Sequence, residues 1–121
     1  MGREDILFQK GIKAFNERNF YDAHEYWEEL WLNYKLEDSK FIQGLIQLAV
    51  SYYHLFNNNL NGAKSMIKKC LVKLENFDKS RGIDVNDLKN QVQDVKYHFN
   101  NINYTNEFIV SYIIILKVTH E

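Results

Sequence analysis

Apolar residues recur along most of this chain at the three-and-four spacing of helices. Over residues 4–18 they fall at Leu7, Phe8, Gly11, Ile12 and Phe15, one face of an amphipathic helix. Gly11 on that face predicts close approach of a neighbouring element. Residues 16–19 read as a turn, and a second helix follows over about residues 20–34. Asp38 or Ser39 is placed to cap a third helix by accepting a bond from its free amides. That helix, about residues 40–56, is apolar almost all round: from Phe41 to Phe56 only Gln43, Gly44, Gln47, Ser51 and His54 break the pattern. An element of this kind is buried on most sides, so the third helix is expected at the centre. Its polar positions 43, 47, 51 and 54 form a single stripe that must face water or find partners inside.

Asn57, Asn58 and Asn59 end the third helix, because Asn tolerates the left-handed backbone that a helix terminus often needs. A fourth helix, about residues 60–77, is expected to bury Ala63, Ile67, Cys70, Leu71 and Leu74 and to expose Lys64, Lys68, Lys69 and Lys73. A loop through residues 79–82 leads to Asp84, the cap of a fifth helix with Leu88, Val92, Val95 and Phe99 inward. Residues 108–118 are rich in Ile, Val and Tyr, which favour strand, yet no partner strand is evident. Residues 103–121 are therefore expected to form a short extended or helical tail packed on the bundle.

A faint repeat joins the two hairpins. Phe15, Asn19, Phe20, Ala23, Trp27 and Trp31 correspond, forty positions on, to Leu55, Asn59, Leu60, Ala63, Ile67 and Leu71. The unit resembles the helical hairpins of tetratricopeptide-type repeats, although two units are fewer than a solenoid needs. The fold class is all-α: one domain over residues 1–121, a compact bundle of about five helices in antiparallel hairpins.

Composition changes this picture little. The chain has no proline and five glycines, so long helices run unbroken. A net charge of −1 supplies no basic field for nucleic acid. One cysteine excludes an internal disulfide and suits a reducing compartment. The N-terminus lacks the apolar run of a signal peptide, and the apolar stretch at residues 112–116 is far too short for a bilayer. A soluble cytoplasmic protein without membrane or nucleic-acid partners is expected, and an aromatic content of 15% leaves room for a homodimer.

Candidate chemistry concentrates in residues 19–31, which hold both tryptophans. His24 and Glu28 stand one helical turn apart, as do Trp27 and Trp31, so two polar side chains share a face with two indoles. Adding Glu25, and Gln43, Gln47 and His54 from the third helix, defines a candidate polar cluster or pocket. One reading is a buried hydrogen-bond network in which Glu28 orients His24 and the glutamine amides complete it. The other is a divalent metal held by His24, Glu28 and His54, two histidines with one carboxylate. The His-Glu-x-x-Glu order lacks the second helical histidine of the zinc-protease motif, so that mechanism does not transfer. Tyr21, Tyr26, Tyr52 and Tyr53 are placed either to line a peptide groove or to fill the core. Cys70 has no activating neighbour in sequence, and there is no phosphate-binding glycine loop or serine nucleophile signature. The expectation is a non-enzymatic helical module binding a protein or small-molecule ligand, without a required cofactor. The alternative is a metal-dependent, hydrolase-type enzyme using His24 and Glu28.

Three segments together are similar to one known family. Phe15-Asn16 with Ala23-His24-Glu25-Tyr26-Trp27-Glu28-Glu29-Leu30-Trp31, then Phe41-Ile42-Gln43-Gly44-Leu45-Ile46-Gln47-Leu48-Ala49, then Asn59-Leu60-Asn61-Gly62-Ala63, resemble the domain-of-unknown-function 309 family over about residues 7–90. The resemblance implies a small all-helical bundle and a polar cluster, and it implies no activity.

Overall fold

The computed structural model of the chain describes residues 2–119, so the last two positions of the expected tail lie outside the described residues. Five α-helices lie among them: α1 (Arg3–Asn16), α2 (Phe20–Asn33), α3 (Ser39–Phe56), α4 (Leu60–Leu74) and α5 (Val85–Asn100). Each helix packs on the next in sequence, α1 on α2, α2 on α3, α3 on α4 and α4 on α5. The apolar third helix stands between two neighbours, as its all-round hydrophobicity requires. α1 and α2 meet closely at Gly11, where a Cβ would overlap the Trp27 indole. Trp27 is fully buried there, and its Nε1–H donates to the Phe8 carbonyl at 3.2 Å, so the one polar atom of the indole is satisfied.

The forty-residue repeat is real at the level of backbone bonds. Arg18 and Asn58 both take left-handed φ values, 66° and 58°, and turn the chain between helices. Asn19 N–H reaches the Ala14 carbonyl at 2.8 Å, and Asn59 N–H reaches the His54 carbonyl at 2.9 Å. Ala23 and Ala63 are fully buried at equivalent points, and so are Trp27 and Ile67. The correspondence weakens one turn later, where Trp31 is 37% exposed and Leu71 is only half-buried.

Three local expectations need correction. Leu71 is only half-buried against the core, at the edge of the buried face of α4 made by Ala63, Ile67, Cys70 and Leu74. Asp38 does not cap α3 with its side chain. Its carboxylate is taken instead by Ser80 Oγ at 2.8 Å and by Arg81 through Nε at 2.7 Å and a second nitrogen at 3.1 Å. The loop at residues 79–82 is in fact a small antiparallel hairpin, β1 (Lys79–Ser80) with β2 (Ile83–Asp84), turned by Arg81 at φ 49° and Gly82 at φ 80°. A partner 43 residues away in sequence and a two-residue ladder leave no periodic signal to read. Asp84 does cap α5, accepting from Asp87 N–H at 3.0 Å. Lys68 and Lys69 are exposed as expected, whereas Lys64 and Lys73 are half-buried.

After α5 the chain doubles back as an extended tail with two single 3-10 turns, Thr105–Glu107 and Val110–Tyr112, and it packs on the bundle as expected. Ile113, Ile114 and Leu116 join the one hydrophobic core. No described helix is long and apolar enough to cross a membrane.

Candidate functional site

The inward face of α2 is Phe20, Ala23, Trp27 and Leu30. At about 100° per residue, His24, Glu28 and Trp31 fall on the strip beside that face and not on it. His24 keeps 23% of its side chain exposed and Glu28 49%. Glu25 is exposed as well. The expected grouping with Trp27 is therefore split: the indole at 27 goes to the core, and the polar pair goes to the surface. The buried network around Glu28 is not what the fold builds.

The two members of that pair do meet. His24 Nε2 lies 3.2 Å from Glu28 Oε2, and Nδ1 lies 3.2 Å from the Tyr21 carbonyl oxygen. Both partners are acceptors, so making both contacts together takes an N–H on each ring nitrogen.

The glutamines and the second histidine do not close around this pair. Gln43 and Gln47 are half-buried on α3, and Gln47 Oε1 is buried without a hydrogen-bond partner. His54 instead sits at the end of α3, with Nδ1 3.4 Å from Asn59 Nδ2 at the head of α4. The trio of His24, Glu28 and His54 is not assembled. Among the described residues no group of three His, Cys, Asp or Glu side chains is placed to hold a metal ion. Cys70 is fully buried and burial pushes its thiol up, away from a reactive thiolate.

The two histidines are instead the ends of a surface row of rings. His24 packs on Tyr21 with centroids 5.5 Å apart, Tyr21 on Tyr53 at 5.6 Å, and Tyr53 on His54 at 6.0 Å. Tyr21 is 50% exposed and Tyr53 39%. The hydrogen bond and charge of Glu25 hold the Tyr21 hydroxyl above its usual pKa, so it stays a neutral phenol.

Beside this row opens a cleft of about 440 Å³ between the start of α2, the end of α3 and the tail. Its walls are Phe20, Tyr21, Tyr53, Phe56 and Val110, with Arg18 and Asp22 at the rim. Phe20 and Phe56 stack at 6.1 Å with planes 4° apart, so one buried ring holds the other at the surface. Phe56 is 53% exposed and Val110 56%, an apolar surface left open by the fold. Of the four tyrosines weighed from sequence, Tyr21 and Tyr53 line this cleft, Tyr52 is core and Tyr26 is half-buried. Phe56 and Val110 are beyond the reach of sequence reasoning. The end of an apolar helix gives no sign of which ring stays outside, and Val110 arrives from more than fifty positions away.

Comparison with known proteins follows the same N-terminal half. Residues 8–66 match the sequence model of a family described as "Domain of unknown function (DUF309)". The matched region contains α2, α3 and the turn into α4, and it stops short of α5 and the tail. A protein of Aquifex aeolicus (strain VF5), named only "Uncharacterized protein", is 30% identical over 97 residues. That stretch is 78% of this chain and 29% of the relative, so the chain spans under a third of the protein it matches. No solved structure matches the chain.

Proposed function

The chain belongs to the DUF309 family through residues 8–66, a membership that carries no activity with it, and from its surface we propose that it is a non-enzymatic module that binds a partner protein. The site is the aromatic cleft, and the occupant is an apolar side chain presented by that partner. One observation carries the reading: Tyr21, Tyr53, Phe56 and Val110 form a contiguous exposed apolar surface around a ready-made depression. Tyrosine and arginine are the residue types that dominate binding energy at protein interfaces, and Arg18 stands at this rim. The cleft is open along one side, which suits an inserted side chain better than an enclosed small molecule.

The motif residues acquire a role in this reading. His24, tied to Glu28 and to the Tyr21 carbonyl, holds Tyr21 against Tyr53 and so shapes one wall. The metal-dependent hydrolase alternative needs a third ligand that neither His54 nor a glutamine brings to His24 and Glu28. Elemental analysis of protein purified without chelators tests it, and one bound transition metal per chain would revive it.

The binding reading is tested by photo-crosslinking in the cells that make the protein. A benzophenone amino acid at position 53 is expected to give a discrete adduct with one protein, and Phe56→Ser is expected to abolish it. The same probe at Tyr97, 71% exposed on α5, is expected to give none. Adducts identical from both positions, or none from position 53, would overturn the assignment.

A further inference from the structure

The tail is held in an unusual way for an extended segment. It pairs with no strand among the described residues. Three helices grip its backbone with side chains, one from each of α1, α3 and α5. At the end of α1, Asn16 Nδ2 donates to the Leu116 carbonyl at 2.9 Å, and Asn16 Oδ1 accepts from Leu116 N–H at 2.8 Å. The amide thus offers Leu116 one donor and one acceptor, what a neighbouring strand would offer. On α3, the Tyr52 hydroxyl donates to the Tyr112 carbonyl at 2.7 Å and accepts from Ile114 N–H at 3.0 Å. On α5, His98 Nε2 accepts from Ile109 N–H at 3.0 Å while its ring stacks on Tyr112 at 4.3 Å. Just before the first grip along the segment, Phe108 packs edge-on to Tyr52, and further along Ile113, Ile114 and Leu116 are buried. The three gripping side chains come from alternate members of the stack, and together they line a groove that reads extended backbone.

We propose that this groove is a binding site for an extended apolar segment, and that its occupant in trans is residues 105–119 of a second copy of this chain, exchanged for the segment bound in cis. Bonds from side chains to backbone do not depend on which chain supplies the backbone. In a second copy the same Leu116, Ile114 and Phe108 meet the same pockets, so exchange restores every interaction that opening breaks. The difference between the two arrangements lies in the connector and in concentration. Residues 101–104 are the connector: among the described residues, Asn101, Asn103 and Tyr104 are exposed and bonded only to near neighbours in sequence, and Ile102 is the one buried side chain of the four. The outer side of the segment carries Ile109 and Ile115, 53% and 48% exposed, an apolar edge that a paired copy would cover. This inference does not rest on the partner cleft, since the grips are Asn16, Tyr52 and His98 and none of them lines it.

Complementation between two full-length variants tests the exchange. Asn16→Ala with Tyr52→Phe disables the groove and leaves the segment intact. Ile113→Asp with Leu116→Asp disables the segment and leaves the groove intact. Each alone is expected to be monomeric, with its tail cut by protease at least ten times faster than in the unsubstituted chain. Mixed, they are expected to form a 1:1 heterodimer by light scattering, with one of the two tails protected again. A fluorescent peptide of residues 105–119 is expected to bind the segment-disabled variant at least tenfold more tightly than the groove-disabled one. Two helical variants that stay monomeric on mixing, with both tails cut, would overturn the proposal. Should either variant lose its helical circular dichroism, isotopically heavy and light unsubstituted chains are concentrated together, warmed and diluted. Mixed dimers in native mass spectrometry then support exchange, and monomers alone exclude it.

Discussion

Glu28 and Gly11 show how little a residue's type says until its surroundings are known. Glu28 looks like a buried anchor, yet half of its side chain is in water and its partner is a histidine one turn away on the same helix. Exposed pairs of this spacing are worth about 0.3–0.5 kcal/mol. Glu28→Ala is therefore expected to shift stability by about half a kcal/mol or less, which chemical denaturation can check; a loss of several kcal/mol would mean the side chain is buried in solution. Gly11→Ala should behave in the opposite way to its helix propensity. Alanine gains up to about 1 kcal/mol over glycine in a helix interior. Here its methyl group would overlap the Trp27 indole, and overpacking of that kind costs about 1–3 kcal/mol or more. The net expectation is destabilisation, with a red-shifted tryptophan emission as α2 moves off α1. Tyr52→Phe tests a third case, since it strands the Tyr112 carbonyl and the Ile114 N–H. Two unsatisfied groups at about 1–3 kcal/mol each should make it the most damaging loss of a single atom on the tail.

At the scale of elements, the clasp between the β-hairpin and the start of α3 has the clearest pH dependence. Partial burial pushes the Asp38 carboxyl up, but hydrogen bonds from Arg81 and Ser80 and the charge of Arg81 outweigh it, and its pKa lies below the usual value. The folded state thus favours the ionised carboxylate more than the unfolded chain does. Its contribution is complete above the unfolded carboxylate value of about 3.9 and is lost as pH falls through the lower folded value. Asp38→Asn should lower Tm at pH 7, and the gap to the unsubstituted protein should close as pH drops towards about 2. A gap that stayed constant down to that pH would show that the charge of Asp38 is not what the clasp uses. Arg81 adds a second hold, its guanidinium 5.4 Å from the centre of the Phe8 ring, so the hairpin ties α3 to α1.

Across the whole molecule, helices that touch mainly their sequence neighbours would be free to unfold in pieces. The tail prevents this. Its bond between Asn16 and Leu116 closes a separation of 100 residues and joins the two ends of the stack. Both tryptophans lie on α2, so their fluorescence reports the first hairpin while circular dichroism reports all helices. The two transitions in denaturant should coincide for the unsubstituted chain and separate for Asn16→Ala with Tyr52→Phe. Coincident transitions in that double variant would mean that packing alone couples the hairpins.

The helices, their order, the central place of α3 and the forty-residue repeat were all legible in the chain itself. Those features follow from local periodicity and from turn residues such as Asn19, Asn58 and Asn59, and both act within a few positions. Which strip of α2 faces inward was nearly legible, and the error of one step moved His24 and Glu28 from core to surface. A helix that alternates rings and charges shows two candidate faces, and only its neighbours choose between them. Asp38 with Arg81, the cleft completed by Val110, and the grips of Asn16, Tyr52 and His98 belonged to the tertiary structure alone. Each joins residues far apart in the chain, where the cost of closing the loop and the fit of the pocket decide the partner. No pattern along a single stretch of sequence records that choice.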